Sequence, residues 1–394
     1  MATAVVSQFS SLKKPPASVQ YNWITESYEL PLPEQIPMPL HMPDPEVVLP
    51  GDERAFLLST ENGSQLVISG FGIFVGRKSE RVVVKQNGVV CAQVPLMRLQ
   101  EIVIASKGIS LSADLMESVC ARGIRIAFLG QNGRPFALLT SPMLTATVAT
   151  RKAQFSAGND HRGTEFCRWV VAGKLRNQEK LLRYFARTRT GTEVQMLAQA
   201  ADSMRKIRRS AIALPPAQLT QFRPGLLGLE GAGARIYWKG LASIVNPALD
   251  FTGRDPGGSD PVNAALNLGY GILLSHVWGA VMNAGLEPFA GFLHTDRSGK
   301  PSLALDLMEE LRQPVVDRAI FAWIYKGGKP VVSGGLLKED PREDVIARVL
   351  RRLTAKERYR SKDYEVRSII QSQARLAASA FRGERNYRPF SFQW

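Results

Sequence analysis

The sequence predicts an α+β protein, with a small N-terminal β domain over residues 56–144 and an all-helical domain over 145–394. Two patterns predict it. Short β-branched runs divided by turn residues fill the first region, and apolar positions at helical spacing fill the second. Ahead of both, residues 1–55 read as a proline-rich arm. Nine prolines from Pro15 to Pro50 forbid helix and central strand, so the arm is expected to be extended or partly disordered.

The strands are expected at QLVIS (65–69), GIFVG (72–76), RVVVK (81–85), VVCAQVPL (89–96), EIVIA (101–105), IRIAFLG (124–130) and FALLT (136–140). Asn87-Gly88 marks a two-residue hairpin turn, because both residue types accept the positive φ it needs. One helix interrupts them, within 110–123, opened by a serine cap and closed at Gly123. Further on, helical periodicity covers Phe166 to Arg187, Glu193 to Leu214, Gly231 to Val245, Val262 to Ala284, Val315 to Tyr325, Arg342 to Tyr359 and Asp363 to Phe381. Pro215–Pro216 and the GRDPGG stretch (253–258) break the pattern as loops.

Composition narrows the function classes. The chain has 394 residues, 45% hydrophobic and 22% charged, which suffices for two cores. A net charge of +15 favours a polyanionic partner. Arginine-rich runs on several helices, among them Arg348, Arg351 and Arg352, point to nucleic acid. Cys91, Cys120 and Cys167 form no CxxC pair, which excludes a zinc module or disulfide framework and fits a reducing, cytoplasmic setting. The N-terminus lacks a continuous apolar signal region. Residues 264–286 carry no Lys, Arg, Asp or Glu and would just span a bilayer. Asn267, Ser275, His276, Asn283 and several glycines suit a helix buried on all sides instead, so no membrane partner is expected.

The most informative stretch runs from Gly285 to Arg318. His294 lies in a Gly- and Pro-flanked loop, a basic turn follows with Arg297 and Lys300, and then a short helix carries Asp306, Glu309 and Glu310. Residues at i, i+3 and i+4 share a helix face, so these carboxylates are expected to crowd together unless a cation or water screens them. Leu303, Leu307 and Leu311 would pin that helix to a core. A neutral imidazole with hard oxygen ligands suits a divalent metal such as Mg²⁺ or Mn²⁺; a solvated acidic face is the plainer alternative. Glu230 follows Gly228 and precedes Gly231, in a run that would let a phosphate come close. It reads equally as a capping glutamate at a helix start. Asn263, Asn267 and Tyr270 form a polar stripe on an apolar helix, placed either for structural hydrogen bonds or to orient a site.

Three segments taken in order, GLEGAGARIYW, DPVNAALNLGYG and GFLHTDRSGKPSLALDLMEELRQPVVD, resemble the CRISPR-associated Cas1 family of spacer-acquisition integrases. The resemblance runs from about residue 60 onward and is strongest over Gly225–Arg318. It implies a helical catalytic domain in which Glu230, His294 and Glu309 hold a Mg²⁺ or Mn²⁺ ion, with Asp306 in support. It implies double-stranded DNA as substrate, both the foreign fragment and the CRISPR repeat, a homodimer, and a Cas2 dimer bridging two such dimers. Arg297, Lys300, Lys239, Arg351 and Arg352 are the candidate DNA contacts. A stand-alone metal-dependent nuclease of branched DNA and a non-catalytic DNA-binding protein remain as alternatives. The arm of about fifty residues is longer than the resemblance implies.

Overall fold

The computed structural model describes residues 20–22, 27–29, 55–60, 63–131, 133, 135–141, 147–187 and 191–393. Residues 1–47 and 48–394 are two separate compact units. In the first, β1 (Gln20–Asn22) pairs antiparallel with β2 (Ser27–Glu29). An extended or partly disordered arm, without helix or central strand, was expected here. Both strands fall between Pro16 and Pro31, the stretch where every residue keeps its N–H. The remainder of the arm lies outside the described residues.

The second unit opens with β3 (Ala55–Thr60), β4 (Gly63–Ile68), β5 (Ile73–Lys78), β6 (Arg81–Gln86), β7 (Val89–Pro95), β8 (Leu99–Ile104), β9 (Ile109–Leu111), α1 (Ala113–Ala121), β10 (Arg125–Leu129) and β11 (Pro135–Leu139). All seven expected runs form strands. Asn87 and Gly88 take φ of 50° and 82° at the β6–β7 turn. Among the described residues one sheet has the order β11-β10-β8-β4-β3 and the other β7-β6-β5-β9. In the first, β4, β8 and β10 are parallel neighbours, the arrangement that buries both faces. Alternation along the strands then serves two cores. Leu66, Ile68, Ile102 and Ile104 face the β domain, while Val67, Val103 and Ala105 face the helices. A buried polar contact crosses the same boundary: Glu101 on β8 accepts from Arg125 on β10 (2.7 Å) and lies 3.1 Å from His276.

The helical part contains α2 (Thr147–Ala157), α3 (His161–Ala186), α4 (Thr192–Ala213), α5 (Leu219–Ala242), α6 (Pro261–Asn283), α7 (Ser302–Met308), α8 (Arg318–Tyr325), α9 (Glu339–Thr354) and α10 (Val366–Phe381). It also carries two hairpins, β12 (Val332–Ser333) with β13 (Leu336–Leu337) and β14 (Lys356–Tyr359) with β15 (Lys362–Glu365). The second hairpin replaces helix expected through Tyr359 and from Asp363, turning at Arg360 and Ser361 in left-handed backbone. Helix α6 is long and apolar enough to cross a bilayer, and 78% of its most apolar window is buried inside the protein.

Helix α5 starts twelve residues before the expected Gly231. Pro224 and the run of glycines disfavour helix there. Leu219, Phe222 and Leu226 are buried on one face, and packing of that stripe outweighs the local propensity. One of the glycines makes room for packing. A Cβ on Gly233 would stand 2.5 Å from the Leu175 side chain, so glycine here lets α5 lie close to α3.

Candidate active site

That close approach places the first carboxylate. Glu230 lies one turn before Gly233 on α5, and Lys174 adjoins Leu175 on α3. The Lys174 ammonium contacts Glu230 and stands 2.5 Å from Glu309 Oε2. Glu309 follows directly on α7 and is only 5% exposed. Its other oxygen, Oε1, accepts from Arg312 at 3.1–3.2 Å. Burial alone would raise the Glu309 carboxyl, but Arg312 and Lys174 outweigh it and bring the pKa down to about 2. Glu230 and Glu309, 79 positions apart, thus converge on one cation, Lys174.

The short helix ends at Met308, so of the three acids expected on it only Asp306 lies there, and the three do not crowd. Each turns to different partners. Asp306 is fully buried and accepts from the backbone N–H groups of Phe292 (2.7 Å), Leu293 (3.0 Å) and His294 (2.9 Å). It also meets His294 Nδ1 at 2.6 Å. A carboxylate accepts only, so it holds the imidazole proton on Nδ1 and leaves a lone pair on Nε2. The His294 side chain keeps 26% exposure.

Glu310 points away from Glu309, to Gln373 Nε2 (2.7 Å) and the Tyr387 hydroxyl (3.0 Å). Burial pushes its pKa up to about 8, against the lowering pull of those two donors. The folded protein therefore holds a proton that the unfolded chain, titrating near 4.5, releases. Glu310's effect on stability is harmless below pH 4.5 and grows more unfavourable as pH rises to about 8. In urea titrations, Glu310→Gln should remove a loss of roughly 2–5 kcal/mol between pH 5 and pH 8.5; an unchanged pH profile would show that Glu310 is ionised in the fold.

The polar stripe on α6 also has partners. Asn263 and Asn267 accept from Arg254 at 2.8 and 2.6 Å. The Tyr270 ring lies between Arg254 (5.2 Å) and Arg312 (4.7 Å), and its hydroxyl donates to Asp317 at 2.5 Å. The stripe therefore supports, through Tyr270 and Arg312, the side of Glu309 turned away from Lys174. Pro314, which has no N–H to donate, sits in the π turn that follows (Gln313–Asp317).

Among the described residues, no three His, Cys, Asp or Glu side chains stand close enough together to enclose a metal ion. The donor set nevertheless fits one. Glu230 and Glu309 already grip a positive charge, Glu309 Oε2 makes no aligned hydrogen bond, and His294 lies within electrostatic reach of Glu309. Two hard anionic oxygens and a neutral imidazole suit Mg²⁺ or Mn²⁺.

The candidate DNA contacts are scattered. Arg297 is exposed and Lys300 half-buried, both in the loop of His294. Lys239 is exposed nine residues after Glu230 on α5, about 13.5 Å further along and on the opposite face. Arg351 is exposed, but Arg352 donates to the Pro314 carbonyl (2.9 Å) and pairs with Glu357 (2.5 Å). Arg183, Arg205 and Arg208 likewise share Glu179. A basic cavity of about 510 Å³ lies elsewhere, lined by Arg176, Lys180, Arg358, Arg360, Arg385 and Arg388 with Tyr359 and without an acid. Arg176 follows Lys174 by two residues, about 200° around α3, so this cavity and the carboxylates occupy different faces of that helix.

Sequence reasoning missed Lys174 and Arg312. The signal for Lys174 was a lone cation in VVAGKL, an apolar stretch of a long helix; for Arg312 it was the spacing of three from Glu309.

The family described as CRISPR associated protein Cas1 matches residues 66–351. A CRISPR-associated endonuclease Cas1 of Archaeoglobus fulgidus is 33% identical over 84% of this chain and all of its own length. One of Francisella tularensis subsp. novicida is 34% identical over 84% of this chain and 99% of its own. Among solved structures, a casposase bound to its integration product has a TM-score of 0.68 at 20% identity, covering 82% of this chain and 92% of its own. A CAS1 protein from Thermotoga maritima has a TM-score of 0.65 at 16% identity, covering 83% and 100%. At these identities the structural neighbours establish the α+β fold.

Proposed function

Since the chain belongs to the CRISPR-associated Cas1 family, we propose that it is a spacer-acquisition integrase whose centre is Glu230, Glu309 and His294. The carrying observation is the convergence of Glu230 and Glu309 on one largely buried cation, beside an imidazole whose Nδ1 is taken by Asp306 and whose side chain stays partly exposed.

The reaction is a transesterification. A 3′-hydroxyl of a foreign DNA fragment attacks a phosphodiester at a repeat edge; the new P–O bond forms as the bond to the repeat strand's 3′-oxygen breaks, the attacking hydroxyl gives up its proton to solvent, and the leaving 3′-oxygen takes one up. The number of phosphodiester bonds is conserved, so no energy cofactor is needed. Glu230, Glu309 and His294 would hold a Mg²⁺ or Mn²⁺ ion, which when bound supplies Lewis-acid polarisation of the phosphoryl oxygen. The protein's own groups set the geometry. Arg312 fixes Glu309, Asp306 fixes the tautomer and angle of His294, and Arg297 and Lys300 offer charge to neighbouring phosphates. Water in place of the 3′-hydroxyl turns the same centre into an endonuclease. The basic cavity beside Tyr359 would follow a strand by phosphate contact and stacking. Joining at both repeat edges calls for two centres a fixed distance apart, which two homodimers bridged by a Cas2 dimer would supply.

The test incubates purified protein, with and without Cas2, with a repeat-bearing supercoiled plasmid and a labelled 3′-hydroxyl duplex. Joining in Mg²⁺ or Mn²⁺, and none in chelator, is the expected result. Cleavage of branched DNA without any need for a repeat or a 3′-hydroxyl would replace the integrase with a stand-alone nuclease. Binding without any joining or cleavage would remove the enzyme.

A further inference from the structure

The two carboxylates assigned to the metal already hold a cation that belongs to the chain. We propose that Lys174 is the resident counter-ion of Glu230 and Glu309: it keeps them facing each other in the metal-free protein and competes with the divalent ion for the space between them. This rests on the metal-site reading above.

The geometry separates the roles of the two cations at Glu309. Arg312 takes Oε1 with both Nε and Nη2, and its guanidinium is stacked on Tyr270, so it is fixed. Lys174 takes Oε2, the oxygen without an aligned hydrogen bond, and reaches Glu230 with the same ammonium. A lysine carries its charge on a flexible four-carbon stem and can withdraw; a stacked guanidinium cannot. Gly233 matters here too, because a side chain there would push α5 from Leu175 and part Glu230 from Lys174.

Charge makes the competition necessary. Glu230 and Glu309 carry two negative charges, and Lys174 and Arg312 carry two positive ones, so the group is neutral as it stands. A dication added with Lys174 in place leaves a surplus of two positive charges in a largely desolvated pocket, where repulsion is weakly screened. Removing the ammonium leaves one negative charge before the ion binds. Without either cation, the facing carboxylates repel.

Mn²⁺ binding to the full-length, metal-free chain, read from the free-ion signal in electron paramagnetic resonance, tests this. Thermal unfolding with and without Mn²⁺ gives a second readout. Lys174→Met should bind Mn²⁺ about tenfold more tightly than the wild type, with a lower Tm without metal and a larger rise on adding it. Lys174→Arg, which keeps a cation and is the safer variant for folding, should bind no more tightly than wild type. Glu309→Gln should lose the binding, which places the measured ion at this pair. Equal or weaker affinity in Lys174→Met, or tighter binding in Lys174→Arg, overturns the competition and leaves the metal site standing. Absence of Mn²⁺ binding in wild type and Lys174→Met alike overturns both.

Discussion

His294→Ala is expected to slow strand transfer by about 10³-fold or more while leaving DNA affinity within about twofold. Altering only the partner that orients a ligating histidine costs about 10–100-fold, and removing this imidazole takes away the one neutral nitrogen of the donor set itself. DNA affinity should hold because the abundant positive charge lies elsewhere: six cations line the cavity beside Tyr359, on another face of α3. The loop should hold as well, because Asp306 still accepts from the amides of Phe292, Leu293 and residue 294. Joining rates measured under single-turnover conditions, beside binding isotherms on the same duplex, decide it. Normal joining by the variant would remove His294 from the centre. Parallel loss of binding and joining would make it a DNA contact instead.

What was legible in the chain follows how local each cause is. The strands could be read because alternation and the Asn87-Gly88 turn act over a few residues. So could the segment from His294 to Glu309, since its loop, turn and short helix are punctuated by glycine and proline. The start of α5 could not. Pro224 and the glycines speak against helix, and only the burial of Leu219, Phe222 and Leu226 against distant elements reverses them. The same holds for the direction of each acid. Spacing puts Asp306, Glu309 and Glu310 on neighbouring positions, but their partners come from the loop amides, α3, Arg312, α10 and the C-terminal tail. Lys174 was hidden for this reason as well. In a chain of net charge +15, one more lysine carries no mark until Gly233 brings Glu230 against it. Spacing also does not show which arginines are paired within the fold: Arg352 is held by Glu357, and Arg183 and Arg205 by Glu179.

Asp306 gives the sharpest separation of positioning from chemistry. In Asp306→Ala, two buried backbone donors and one part-buried donor lose their acceptor at once. Each orphaned buried donor costs about 1–3 kcal/mol, so the two buried ones alone set an expected loss of roughly 2–6 kcal/mol, a large part of an ordinary domain's 5–15 kcal/mol. Asp306→Asn is the informative partner. Its single acceptor oxygen cannot satisfy both the Phe292–Leu293 pair on Oδ2 and the His294 contacts on Oδ1. Its amide can also turn an N–H toward Nδ1 and move the imidazole proton to Nε2, the nitrogen that must stay bare. The asparagine variant should therefore unfold at a urea midpoint between wild type and Asp306→Ala. Its joining rate should fall about 10–100-fold, the range seen when the partner orienting a ligating histidine is altered. If Asp306 acts only through His294, adding Asp306→Asn to His294→Ala should lower the joining rate little further. A double variant slower by the full product of the two single effects would mean that the Asp306 carboxylate reaches the reacting groups directly.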